Sequence, residues 1–202
     1  MNTTEQKNSI FTLRSMIFTA IMAAIISVCA PFSIPLPGLL VPISLATFAV
    51  YLAGGVLGAK RGALAVLVYI LIGAVGLPVF SGFSGGLAKL FGVTGGYIIG
   101  YIPCALLSGL IFERIKKAWA LPLGMAAGTA ACYIFGTAWF LVSTTLAAGR
   151  PLTGAAVAAA VMNCVVPFLI GDATKIAAAT SVTLPLKSEL DRILNGSGKK
   201  AQ

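Results

Sequence analysis

The sequence predicts an all-α membrane protein of six transmembrane helices, and three observations carry that prediction. Hydrophobic residues make up 58% of the 202-residue chain and charged residues 9%, against about 45–50% and about 25% in ordinary globular domains. So few charges cannot clothe a water-facing surface, and the apolar excess has to face lipid. The apolar residues fall in long runs, most of them near the ~20 residues a bilayer requires. The cations between those runs are distributed very unevenly. The same composition excludes other classes. A disordered chain is poor in apolar residues, and a nucleic-acid binder groups its basic side chains on one face. Here a net charge of +9 is scattered between apolar runs, so no nucleic-acid partner is expected.

The elements follow in order. Residues 1–14 are polar and carry Lys7 and Arg14. The first helix is predicted over 16–30, with Ser15 as N-cap and Pro31 as terminator. A signal-peptide core is disfavoured there, because Pro31 directly follows the small-residue cleavage candidate Val28-Cys29-Ala30. Further helices are predicted over 39–59, 62–80, 93–112 and about 118–146. After Arg150 a single helix over 153–184 would be too long and would hold Pro167 in its middle, where proline is costly; proline is comfortable in a first turn. The stretch therefore divides into a segment over 152–164, too short to span, and a sixth helix over 167–184. A polar tail, 186–202, closes what reads as a single six-helix domain, 1–202.

Orientation follows from the cations. With six spans, Lys7, Arg14, Lys60, Arg61, Arg114, Lys116, Lys117, Lys187, Arg192, Lys199 and Lys200 share one side. Lys89 and Arg150 hold the other. Eleven against two predicts cytoplasmic N and C termini in a multi-pass protein of the cell membrane. The loops 31–38, 81–92 and 147–166 then face outward.

Much chemistry is excluded by what the chain lacks. It has no histidine, which removes imidazole relays, histidine metal sites and Ser-His-Asp catalysis. Its five acids are Glu5, Glu113, Asp172, Glu189 and Asp191, and no pair of them is expected to meet within the membrane. Cys29, Cys104, Cys132 and Cys164 lie singly in apolar runs and read as small buried hydrophobes. No phosphate-binding G-x-x-x-x-G-K-[ST] loop occurs. No cofactor, no metal and no enzymatic activity are expected.

Four features remain. Glycines and other small residues recur every four positions: Gly54, Gly58 and Gly62; Gly92, Gly96, Gly100, Cys104 and Ser108; Gly124, Gly128, Cys132 and Gly136. Each set lines one helix face and suits close helix packing in lipid. Ala20 and Ala24 form a shorter stripe, for which internal packing and contact with another membrane protein both stand. The loop Gly76-Leu77-Pro78-Val79-Phe80-Ser81-Gly82-Phe83-Ser84-Gly85-Gly86 is too glycine-rich for helix and too apolar for an ordinary solvated loop. It reads either as a lid over an outward-opening cavity or as a structural plug. Finally, Asp172 and Lys175 are the only acid and base that the predicted spans leave within the membrane. Each costs roughly 2.5–3.5 kcal/mol near a helix centre, and such residues are functional-site candidates. Three residues apart, they share a face and can neutralise one another; a structural bridge to another helix is the competing reading. A donor-rich and an acceptor-only group together suit a small ligand with N–H donors and a carbonyl or negative oxygen. Tyr97, Thr94 and Ser81 are placed to complete the site.

This combination resembles the BioY family, the biotin-specific substrate-binding (S) components of energy-coupling factor (ECF) transporters. The residues that carry the resemblance are Gly54-Gly55 and Gly58, Tyr69, Gly73-x-x-Gly76-x-Pro78-Val79-Phe80 and Gly82-x-x-Gly85-Gly86. Leu90, Gly92-Val93-Thr94-Gly95-Gly96-Tyr97, Gly100 and Pro167-Phe168-x-x-Gly171-Asp172-x-x-Lys175 complete the set. Val93 stands where the family usually has proline. The resemblance implies the ECF S-component fold and capture of biotin from outside, with energy from a transmembrane coupling protein and two cytosolic ATPase subunits. It also implies Asp172 and Lys175 as polar ligands of biotin, with Tyr97 and the loop around Phe80, Phe83, Gly85 and Gly86 closing the pocket. The Ala20-x-x-x-Ala24 stripe is similar to the face with which S components dock on the coupling protein. The chemistry agrees: biotin offers two ureido N–H donors, a ureido oxygen, a carboxylate and an apolar ring and tail. A second reading is a self-sufficient ion-coupled vitamin carrier with Asp172 as its proton site.

Overall fold

A computed structural model describes residues 13–34, 41–149 and 151–195. Helix α1 (Leu13–Cys29) leads into a hairpin of β1 (Ser33–Ile34) and β2 (Ile43–Ser44). Then come α2 (Ala46–Leu57), α3 (Ala59–Ala74), the short α4 (Leu87–Phe91), α5 (Gly95–Ile115) and α6 (Ala120–Leu141). A π-helical turn, Val142–Leu146, extends α6, and α7 (Gly154–Cys164) and α8 (Phe168–Asn195) follow. The strands pair antiparallel, Ser33 opposite Ser44 and Ile34 opposite Ile43.

Helices α5 and α6 form the most extensive helix pair, and their small-residue stripes explain it. A Cβ added to Gly128 would lie 2.5 Å from the Cys104 carbonyl oxygen, and one on Gly124 would lie 2.8 Å from that of Ser108. A Cβ on Gly54 of α2 would lie 2.4 Å from the Ala105 carbonyl oxygen of α5. The stripes on α5 and α6 therefore pack internally, whereas Gly54, Gly58 and Gly62, expected on one helix face, divide between α2, a corner and α3, and Gly92 precedes α5. Backbone approach of this kind supplies the dispersion that holds helices together where lipid removes the hydrophobic drive.

Several predicted boundaries move. The span expected over 39–59 begins only at Ala46, because Ile43–Ser44 is strand and the Ser44 hydroxyl accepts from the Ala46 amide at 3.0 Å. The break before the next helix is the single residue Gly58, at φ +85°. Lys60 and Arg61 thus belong to the first turn of α3. That helix ends at Ala74 rather than at 80, since Gly76 adopts φ +114° and Pro78 follows. Helix α4 lies within the loop expected over 81–92. The division at Pro167 is present: α7 and α8 meet at a bend of 44°. Helix α8 runs past the predicted end at 184, through Pro185, to Asn195.

By length and composition, Gly95–Ile115 and Ala120–Thr145 can each cross a membrane, and the bent pair α7–α8 makes a third crossing if counted as one. Helices α1 and α2 are shorter apolar helices. The predicted polar segment 1–14, apart from its last two residues, lies outside the described residues, as do 196–202 of the tail, loop residues 35–40 and Arg150.

One end of the bundle gathers charge. The Glu113 carboxylate accepts from the Ala59 amide at 3.0 Å, at the first residue of α3. The Lys187 ammonium donates to the Gly55 carbonyl at 3.2 Å, near the end of α2. An anion thus sits at a helix start and a cation at a helix end, each the sign that the helix dipole favours. Arg114, Lys116 and Lys117 adjoin them in sequence. On α1, Ser15, Thr19, Met22, Ala23 and Ile26 are buried, whereas Ala20 and Ala24 face outward. The alanine stripe is therefore a surface and does not pack internally.

Candidate functional site

The polar site is built on the second turn of α8, and it begins with the charged pair. The Lys175 Nζ and Asp172 Oδ1 lie 3.0 Å apart, with side-chain exposures of 12% and 6%. Lys175 also donates to the Ser44 carbonyl at 2.7 Å and to the Thr47 hydroxyl at 3.1 Å, so all three ammonium protons are engaged. Thr47 in turn donates to Asp172 Oδ1 at 3.1 Å, and the Tyr133 hydroxyl donates to Oδ2. Burying two charges is tolerable only when their remaining hydrogen-bonding positions are filled, and here α2, β2 and α6 fill them. Of roughly four acceptor positions on a carboxylate, three are taken. Among the described residues, one on Oδ2 is left for another donor.

Ser44 supplies its carbonyl because its other groups are committed. Its hydroxyl donates to the Ala30 carbonyl at 2.9 Å, and its strand is paired to Ser33. The hairpin thereby aims one backbone oxygen at Lys175.

Two cavities meet at Lys175 and Ser44. A small one, about 50 Å³, is lined by Asp172, Lys175, Thr47, Tyr97, Tyr101 and Tyr133, with Cys132, Cys164 and Phe168 nearby. A larger one, about 390 Å³, is mostly apolar and lies between the hairpin and the glycine loop, with Phe32, Ile34, Ile43, Leu45 and Phe83 on its wall. Its size falls among small-molecule pockets, roughly 300–1,000 Å³. The arrangement pairs a charged, hydroxyl-rich recess with an apolar antechamber.

The glycine loop separates its two phenylalanines. Phe80 is fully buried, edge-on to Tyr69 with centroids 5.6 Å apart. It occupies a slot left by Gly73, where an added Cβ would come within 2.1 Å of the ring. The Gly73 carbonyl accepts from the Gly86 amide at 2.7 Å, and Phe80 and Ser84 form a backbone bridge. Phe83, by contrast, is 62% exposed, has φ +55° and meets Phe32 edge-on at 5.6 Å. The Gly82 amide donates to the Pro31 carbonyl at 3.0 Å, joining this loop to the one after α1. The loop is thus pinned by Phe80 and presents Phe83 to the cavity.

Of the residues singled out in the sequence, Asp172, Lys175, Tyr97 and Phe83 lie on these two cavities. Tyr97 is held against α6: its hydroxyl pairs with that of Thr137 at 3.0 Å, and Gly136 leaves room for its ring. Thr94, Ser81, Phe80, Gly85 and Gly86 are not on either wall. Thr94 starts α5, with its carbonyl accepting from the Tyr97 amide at 3.1 Å. Ser81 gives its carbonyl to the Ser84 hydroxyl at 2.8 Å. Gly85 packs on Leu77, and Gly86, at φ +88°, starts α4. These residues shape the loop behind the cavity. Sequence reasoning missed Thr47, Tyr133 and the Ser44 carbonyl. The first two are polar side chains inside apolar runs, which was a usable signal, whereas a backbone oxygen leaves none.

An apolar helical bundle that seals a hydrogen-bonded charge pair beside an apolar chamber defines an integral membrane protein with an internal polar site. The comparisons with known proteins make the assignment specific. The model of the BioY family matches residues 2–192, and the chain belongs to that family. A curated relative from Thermotoga maritima, "Biotin transporter BioY", is 39% identical over 182 residues, covering 89% of this chain and all of the relative. Another of that name, from Rhizobium etli, is 34% identical over 177 residues, covering 81% and 94%. A third, from Rhodobacter capsulatus, is 46% identical over 57% of each chain. The fold matches the crystal structure of "the S-component for biotin from an ECF-type ABC transporter" with a TM-score of 0.74, over 93% of this chain and 95% of that one, at 23% identity.

Proposed function

We propose that this chain is a non-enzymatic S component that captures biotin for ATP-driven uptake by an ECF complex. Family membership supplies the class, and one observation carries the site: the Asp172–Lys175 pair lies where a polar recess opens into an apolar cavity. Biotin matches both parts. Its ureido N–H groups are donors for the position left on Asp172 Oδ2, and its ring and tail suit the wall around Phe32 and Phe83. An oxygen of the ligand reaches Lys175 only by replacing an internal acceptor, the Ser44 carbonyl or the Thr47 hydroxyl, since all three protons are engaged.

In this reading the chain crosses the cell membrane six times with both termini cytoplasmic. The charge-rich end around Lys60, Arg61, Arg114, Lys116 and Lys117 faces the cytoplasm, and the site opens outward. The outward-facing Ala20–Ala24 stripe docks on a transmembrane coupling protein, which works with two cytosolic ATPase subunits. The chain has no nucleotide-binding loop of its own. The test is biotin retention by the purified chain, read by native mass spectrometry. The parent should retain biotin, and Asp172→Asn and Lys175→Ala should retain it more weakly. If both variants bind like the parent, the site is elsewhere.

A further inference from the structure

The end of the bundle remote from the charged pair holds a third concavity. A groove of about 580 Å³ runs between the end of α5 and α8, with Phe112 and Leu184 on its wall and Glu113, Lys116, Lys187 and Ser188 around it. The Glu113 carboxylate is already committed to the Ala59 amide at the start of α3, where the helix dipole offsets its charge. Lys187 is fixed in place by the Gly55 carbonyl and by the Phe112 ring, whose centroid is 4.6 Å from Nζ. Lys116 ends α5 in the left-handed conformation, φ 56°, and is exposed. Arg114 and Lys117 flank it, and Trp119, 56% exposed, follows three residues later. Exposed tryptophan of this kind marks the headgroup level of a bilayer.

A basic rim over an apolar wall complements an amphiphile with a negative head. A small soluble anion would use the rim and leave Phe112 and Leu184 wet, whereas basic pockets between membrane helices suit anionic lipid headgroups. We propose that this groove binds one anionic phospholipid, its phosphate between Lys116 and Lys187 and its acyl chain along Phe112 and Leu184. The proposal needs only that the chain sits in a bilayer, and it is independent of the biotin site.

The test uses the full chain, delipidated in detergent and titrated with phosphatidylglycerol or phosphatidylcholine of identical acyl chains, with adducts counted by native mass spectrometry. Phosphatidylglycerol should be held in preference to phosphatidylcholine. Lys116→Asn, a residue that tolerates the left-handed backbone, should weaken the phosphatidylglycerol adduct about fivefold, the worth of one lysine near an anionic surface. Lys89→Ala, at the opposite end, should leave it unchanged, and inorganic phosphate should not displace it. Far-ultraviolet circular dichroism and an unchanged melting temperature of the same samples report an intact fold. Equal retention of the two lipids, an unaltered Lys116→Asn, or displacement by inorganic phosphate would overturn the proposal.

Discussion

At the scale of single residues, the site is a problem of hydrogen-bond satisfaction. Asp172 and Lys175 remain buried because Thr47, Tyr133 and the Ser44 carbonyl complete their partners. Removing a charged acceptor should therefore cost far more than removing a neutral donor. A ligand hydrogen bond to a charged group contributes about 1.5–3 kcal/mol. Asp172→Asn removes that acceptor and should weaken biotin binding roughly 10- to 100-fold, whereas Tyr133→Phe and Thr47→Ala leave the carboxylate in place and should weaken it less, by isothermal titration of the purified chain. Equal losses for all three would mean that the carboxylate is a helix bridge rather than a ligand. The sequence marked Asp172 and Lys175 because ionisable groups inside apolar runs are costly. It was silent on Ser44, whose contribution is a backbone oxygen aimed by a two-residue hairpin.

At the scale of elements, the glycine loop divides anchoring from contact. Phe80 fills the slot beside Gly73 and Tyr69, while Phe83 stands on the cavity wall. Phe80→Ala should lower thermal stability, since emptying a buried aromatic site costs about 3–5 kcal/mol. Phe83→Ala should leave the melting temperature near that of the parent and weaken biotin binding. A thermal-shift series with and without biotin separates the two, and a reversed pattern would reject the division. The first helix gives a second case. Because Ala20 and Ala24 point away from the buried face of α1, Ala20→Trp or Ala24→Trp should preserve biotin binding yet stop uptake in the assembled transporter. Loss of binding in those variants would return the stripe to an internal packing role.

At the scale of the whole molecule, the site and the cationic loops occupy opposite ends, and the chain carries no phosphate-binding loop. Liposomes containing this chain alone should therefore bind biotin without concentrating it. ATP-dependent accumulation should appear only with the coupling protein and ATPase subunits, and uptake by the chain alone under a pH gradient would favour the ion-coupled carrier. Composition pointed to a lipid-facing protein, because so few charges cannot solvate a surface, and the long apolar runs pointed to helices. Periodicity likewise revealed the small-residue faces of α5 and α6 that pack, because four residues are about one helical turn, but it misplaced Gly54, Gly58 and Gly62 on one helix when Gly58 is a corner between two. Pro167 marked the α7–α8 break, since proline is costly in mid-helix and comfortable at a helix start. Other features needed the tertiary structure: the strand that trims α2, the single-residue corner at Gly58, the burial of Phe80 against the exposure of Phe83, and the hydroxyls that clasp the ion pair. Those depend on segments far apart in the chain, such as residues 44 and 175 or 133 and 172, coming within hydrogen-bond reach, and no local pattern encodes such a meeting.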